Sequence, residues 1–212
     1  MKRFILIFVL IATIGCKNQS EPAKEVSDDT VEAVEDTAKP SMMVLDLIAS
    51  AKADQIQQDY PDARPATETR MMEEGTVEMI EETLYPDSKR QITLYYDSKE
   101  GKKGDLDQIW LMQEDSPWEL ASGLTVGMRL DKLNELNAKP VAFYGFEWDG
   151  SGFVDFQGGK LADENTSVFL YPSIEVPQDT YEKFMGSEIF DSQATGVDEL
   201  QLKISHIIYT VK

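Results

Sequence analysis

The chain has 212 residues with 39 acidic against 20 basic side chains, a formal charge of -19, one cysteine (Cys16) and one histidine (His206). So acidic a chain repels nucleic-acid backbones and anionic lipid head groups, so no nucleic-acid partner is expected. A lone cysteine closes no intrachain disulfide, and one histidine is too few for the donor sets zinc uses, so no metal or cofactor is expected and the fold rests on its core.

Lys2 and Arg3 form a short basic start, and Phe4 to Ile14 follows without a charge. That apolar run is shorter than the roughly 20 residues a membrane-spanning helix needs, and a basic start before a short apolar stretch is the pattern of a secretory signal. Residues 1–15 are therefore expected to be a signal peptide. Thr13-Ile14-Gly15-Cys16 resembles the lipobox of bacterial lipoproteins, with threonine where leucine is commoner. The resemblance implies cleavage before Cys16 and acylation of its thiol and amine, a palmitate-type anchor holding the chain to a cell membrane. Each buried methylene of such chains contributes about 0.8 kcal/mol, so two or more make the attachment effectively permanent. Losing Lys2 and Arg3 moves the formal charge from -19 to -21. Lys17, in place of aspartate, resembles the enterobacterial sorting signal for the outer membrane.

Residues 17–40 carry seven acidic and three basic side chains, two prolines and few large apolar groups. Such a segment buries too little to offset its ordering entropy, so residues 16–40 read as a lipidated cysteine and an acidic tether reaching about 25–30 Å. Residues 41–212 then form the folded part. Val44, Leu45, Ile48, Ala51 and Ile56 recur at helical spacing from Ser41 to Tyr60, and Pro61 stops that helix. Thr76–Tyr85, Gln91–Tyr96 and Asp107–Met112 are rich in β-branched and aromatic residues, with turn residues at Pro86–Ser88 and Lys99–Gly104, which predicts an antiparallel meander.

The second half follows a similar plan. Leu130, Leu133 and Leu136 place a helix over Met128–Asn137, ended by Asn137-Ala138-Lys139-Pro140. Strands are expected at Val141–Trp148 and Phe153–Gln157 around the tight turn Asp149–Gly152, then at Ser167–Tyr171, with a helix at Gln178–Met185 and a last strand at Glu199–Val211. Leu84-Tyr85-Pro86 and Leu170-Tyr171-Pro172 end strands at matching places. The expected fold class is α+β, two similar helix-plus-antiparallel-strand modules at about 41–117 and 118–212, packed through Pro117-Trp118.

Gly123-Leu-Thr-Val-Gly127, Leu133-Asn-Glu-Leu136-Asn137, Lys139-Pro140 and Tyr144-Gly-Phe146-Glu-Trp148-Asp149-Gly150 resemble a domain of uncharacterised lipoproteins from Bacteroidota-type bacteria. A glycine-bounded segment followed by a leucine-rich helix and a proline turn is also similar, more distantly, to the BamE-like outer-membrane lipoproteins and the β-lactamase-inhibitor-like modules. That likeness implies a binding or scaffolding role.

Candidate chemistry is sparse. His206 alternates with Leu202 and Ile204 in the last strand, which predicts a core-edge position rather than a nucleophilic triad. Asp97–Asp105 has lysines where an EF-hand loop places ligands. No carboxylate pair is singled out by spacing. The aromatic hairpin is the candidate binding surface: Tyr144, Phe146 and Trp148 share one face by alternation, with Phe153 on the facing strand. The expectation is a lipid-anchored, non-enzymatic binding or envelope-assembly protein that takes an envelope protein or a glycan on an aromatic-bearing sheet or in the groove between the modules. The alternatives are a carboxylate-based hydrolase or carbohydrate-active protein, told apart by a cavity holding two acids of raised pKa, and an enzyme inhibitor acting through Lys99–Gly104. Replacing Cys16 with alanine is expected to abolish palmitate labelling and leave unprocessed precursor or released protein; unchanged labelling contradicts the anchor.

Overall fold

The computed structural model describes residues 42–211. The expected signal peptide, Cys16 and the tether lie outside the described residues. The described residues begin with β1 (Met42–Met43) and α1 (Val44–Lys52), and α2 (Ile56–Asp59) follows a break at Asp54, whose φ is +56°. The single helix expected over 41–60 is thus two pieces. The left-handed residue turns the chain so that Leu47, Ile48, Ala51 and Ile56 are all buried.

Next come β2 (Ala66–Met72), β3 (Val77–Leu84), β4 (Ile92–Lys99) and β5 (Lys102–Leu111), then β6 (Trp118–Glu119) and α3 (Leu130–Asn137). The chain continues through β7 (Ala142–Tyr144), β8 (Val154–Asp155), β9 (Thr166–Pro172), α4 (Gln178–Tyr181), β10 (Ile189–Asp191) and β11 (Leu202–Thr210). The fold is α+β, as its composition of elements predicts. Neither β2 nor β10 is foreseen in the sequence, because β2 is polar and β10 only three residues long. The turn expected at Lys99–Gly104 is a tight hairpin tip: Lys99 pairs with Lys102 across Glu100-Gly101, both at positive φ.

The main sheet runs in the order β2-β3-β4-β5-β11-β9, antiparallel throughout. Strands from both halves of the chain therefore lie in one sheet, and β5 pairs directly with β11. The expected division at 117/118 marks no break in it. The Leu-Tyr-Pro endings also differ: Leu84 and Leu170 are both buried, yet Tyr85 is buried at the end of an inner strand and Tyr171 is exposed on an edge strand. A smaller sheet, β10-β7-β8, joins the large one through a bridge between Phe153 and Phe169.

One face of the main sheet carries the core. Ile80, Leu94, Ile109, Val168, Ile204 and Ile207 pack there with Val44 and Leu47 of α1 and Leu133 of α3. Each such side chain contributes about 1.5–3 kcal/mol on burial. Trp118 is almost completely buried between Tyr60 and Tyr85, and its Nε1 donates to the Arg90 carbonyl at 2.7 Å. It pairs with Met42, so it fixes the start of the folded part against the end of the meander.

Asn137 is the polar staple of the second half. It has no exposed surface; its Nδ2 donates to the carbonyls of Lys139 and Phe156 at 2.9 and 3.0 Å, and its Oδ1 accepts from Leu161 N at 3.1 Å. A Cβ on Gly159 would overlap that amide, which explains the glycine. Removing the amide strands two buried backbone groups and one part-buried carbonyl, so Asn137→Ala is expected to lower stability by about 2–3 kcal/mol. Urea unfolding checks this: the midpoint falls while the slope is unchanged.

Candidate functional site

Rings line the other face of the main sheet. Pleating sends Tyr96 of β4 into the core and Tyr95 to the opposite face, where it meets Trp110 of β5 with ring centroids 5.0 Å apart. Trp110 stacks on His206 of β11 at 6.5 Å, and His206 stacks on Phe169 of β9 at 4.2 Å with planes 9° apart. Phe169 meets Phe153 at 5.5 Å, and Phe153 meets Tyr144 of β7 at 5.9 Å. Ile189 of β10, half exposed, pairs with Tyr144. The result is a belt of six rings ending at Ile189, which runs obliquely across the main sheet and on to the smaller one.

His206 reaches this belt through an irregularity. The register of β11 against β9 shifts between Ile204 and His206, so one extra residue, Ser205, resets the alternation. Ile204 and Ile207 both stay in the core, and His206 turns to the outer face. This corrects the core-edge position expected from strict alternation with Leu202 and Ile204. Ser205 Oγ donates to the Phe169 carbonyl at 3.1 Å and lies 2.9 Å from His206 Nδ1. With its proton committed to that carbonyl, Oγ accepts from Nδ1–H, so the imidazole does not act as a base toward the hydroxyl. Burial pushes the His206 pKa down, which agrees with a neutral ring between two aromatic faces.

Polar atoms edge the belt. Tyr95 OH and Arg70 Nε both donate to Glu81 Oε2 at 2.9 Å, and Trp110 Nε1 donates to Gln108 Oε1 at 2.8 Å. On the core face the neighbouring Glu82 takes the same pair of donor types, Tyr96 OH at 3.0 Å and Lys103 Nζ at 2.8 Å. Burial, and then the adjoining glutamate, push both tyrosine pKa values well up, so each phenol remains a neutral donor.

Of the four residues singled out in the hairpin, Tyr144 and Phe153 lie in the belt and the other two do not. Phe146 has no exposed surface; it packs on Phe143 at 5.8 Å and stacks on Tyr181 at 5.6 Å. Trp148 is 63% exposed in the turn that follows. The alternation fails because β7 stops at Tyr144. A Cβ at Gly145 would overlap the Gly186 carbonyl, and Gly145 N and Phe146 N are held by Glu188 O and Phe184 O instead of by a strand partner. Tyr95, Trp110, Phe169 and His206 complete the site and are not recognised in the sequence. Their signal is period-two alternation, interrupted by a bulge in β11 and two register shifts between β4 and β5.

The larger cavities offer different chemistry. One of about 590 Å³ lies between Lys52, Asp54, Tyr96, Lys103 and Asp105. Another of about 630 Å³ holds Glu114 and Asp115 beside Arg129, Lys132 and Lys203. Lys99 holds the Asp105 carboxyl below its ordinary range, and Lys89 does the same for Asp115. A general acid requires the reverse shift. Among the described carboxyls, Asp107 is the one pushed up, by burial and then by Asp97, and it lines neither cavity. Among the described residues no group of three or more His, Cys, Asp or Glu converges in a metal-holding arrangement.

No protein-family model matches the chain, and no curated protein does. The chain is similar to the solved structure of the uncharacterised protein YfeY from Escherichia coli, with 15% identity, a TM-score of 0.40, and coverage of 77% of this chain and 88% of that one.

Proposed function

We propose that the chain is a lipid-anchored envelope protein whose folded part is a non-enzymatic binding module, and that its partner is a protein seated on the aromatic belt. The observation that carries this reading is the belt itself: six rings from six separate chain segments, aligned on the sheet face opposite the core. Aligned aromatics, five of them half-buried and Tyr95 buried, bring large apolar area at little side-chain entropy cost, which suits them to partner surfaces.

Ring orientation favours a protein over a glycan. Sugars stack on open ring faces. Here His206 lies flat against Phe169, and Trp110 and Phe153 meet their neighbours at 54° and 64°. The faces are occupied by one another, so the belt offers ring edges, whose positive rim suits carbonyl and carboxylate oxygens. Cys16 supplies the membrane attachment in this reading, and Lys17 favours the outer membrane.

Crosslinking in intact cells followed by recovery of the tagged full-length protein tests the proposal. One dominant envelope protein is expected. Trp110→Gln and Phe153→Ser should each reduce its recovery at least tenfold without changing the circular dichroism spectrum, whereas Leu45→Ser, on α1, should leave it unchanged. Absence of a protein partner, or equal loss from all three variants, rejects the belt as a protein-binding surface.

A further inference from the structure

The two edges of the main sheet differ. Strand β9 ends in Pro172 and is bridged along its outer side by Phe153. At the opposite edge, β2 pairs among the described residues only with β3, and its first six residues are exposed. It pairs with β3 over seven consecutive residues with no register shift, so it is a regular edge whose outer row of backbone donors and acceptors is unpaired among the described residues. Natural sheets usually protect such an edge with proline, a bulge or charged side chains. Residues 66–72 hold no proline and no bulge, and their two charges, Glu68 and Arg70, are of opposite sign.

We propose that β2 pairs with the β2 strand of a second copy, antiparallel and centred on Thr69, to give one continuous twelve-stranded sheet. The sequence Ala66-Thr67-Glu68-Thr69-Arg70-Met71-Met72 is complementary to its own reverse about that centre. Glu68 then stands opposite the second copy's Arg70, and Arg70 opposite its Glu68. Thr69 meets Thr69, Thr67 meets Met71, and Ala66 meets Met72. Opposite charges and paired threonines are among the cross-strand combinations that stabilise a sheet. Centring on Glu68 or on Arg70 would oppose like charges, so charge selects this register. Within one copy Glu68 and Arg70 make an exposed pair at 2.6 Å, a contact of little energy that is readily exchanged for the equivalent one across the axis. Opposed residues of antiparallel strands share a face, so pairing would also bring the two belts onto one surface, each flanked by Arg70, Glu81 and Tyr95. A seven-residue strand pair is a small interface, and confinement of both copies to one membrane supplies the effective concentration it needs.

Cysteine scanning in the full-length chain reads the register directly. Opposed Cα atoms in antiparallel strands lie about 4.5–5.5 Å apart, within disulfide reach. Thr69→Cys is therefore expected to give a disulfide-linked dimer in cells under mild oxidation, above the background of the parent chain. Thr67→Cys should give at least tenfold less, because its own copy lies four residues along the strand, about 14 Å away. Adding Met71→Cys to Thr67→Cys should restore the dimer, which shows that the weak single variant is folded and exported. Glu68→Lys should weaken the Thr69→Cys crosslink. Equal crosslinking at Thr67 and Thr69, or no dimer from either Thr69→Cys or the Thr67→Cys/Met71→Cys pair, overturns the proposal.

Discussion

The pairing of β5 with β11 is the constraint on which the rest of the structure depends. It joins Gln108–Leu111, the end of the meander, to Ile207–Thr210, close to the end of the chain. Without it the molecule would hold a four-stranded sheet under α1 and a separate β9-β11 ribbon, each with an open apolar face. With it, Leu111 and Ile207 lie side by side in one core and Trp110 and His206 lie side by side on the opposite face. Contacts of such long sequence separation carry a large closure entropy, so the sheet is expected to complete late in folding.

Two adjacent glutamates show how the sheet keeps both faces structured. Glu81 and Glu82 point to opposite sides of β3, and both are nearly buried. Each is neutralised by the same device, a tyrosine of β4 and a cation from a neighbouring strand: Tyr95 with Arg70 outside, Tyr96 with Lys103 inside. A buried carboxylate is costly unless it is paired and hydrogen-bonded. The arrangement therefore ties β2, β3, β4 and β5 into one register, and it sets the polar boundary of the belt at Tyr95. The inner pair also holds Lys103 over the Tyr96 ring at 4.1 Å, closing the core beside α1.

The motif residues of the second half, from Gly123 to Gly150, serve the construction of the fold. Asn137 secures the turn after α3, Asn134 Oδ1 accepts from Val141 N at 2.8 Å, and Gly127 N donates to the Ile204 carbonyl at 2.8 Å. Gly145 allows the chain to leave β7, and Phe146 fills the core. The most recognisable part of the sequence thus reports the fold of the second half. The belt draws only Tyr144 from it.

Local pattern alone determined the presence and kind of most elements. The leucine spacing marks α3, the Asp-Gly-Ser-Gly run marks the turn before Phe153, and the β-branched segments mark β3, β4, β9 and β11, because these depend on side-chain period and turn chemistry within a few residues. The expected leader, the expected acylation of Cys16 and the expected acidic tether rest on sequence alone and lie outside the described residues. Tertiary structure decided which strands are neighbours, that β2 is an edge, and which ring faces which way. One inserted residue at Ser205 moves His206 across the sheet, and one close approach at Gly145 sends Phe146 inward. Alternation carries a side chain's direction only while the ladder is unbroken, and whether it is broken is settled by contacts from far along the chain.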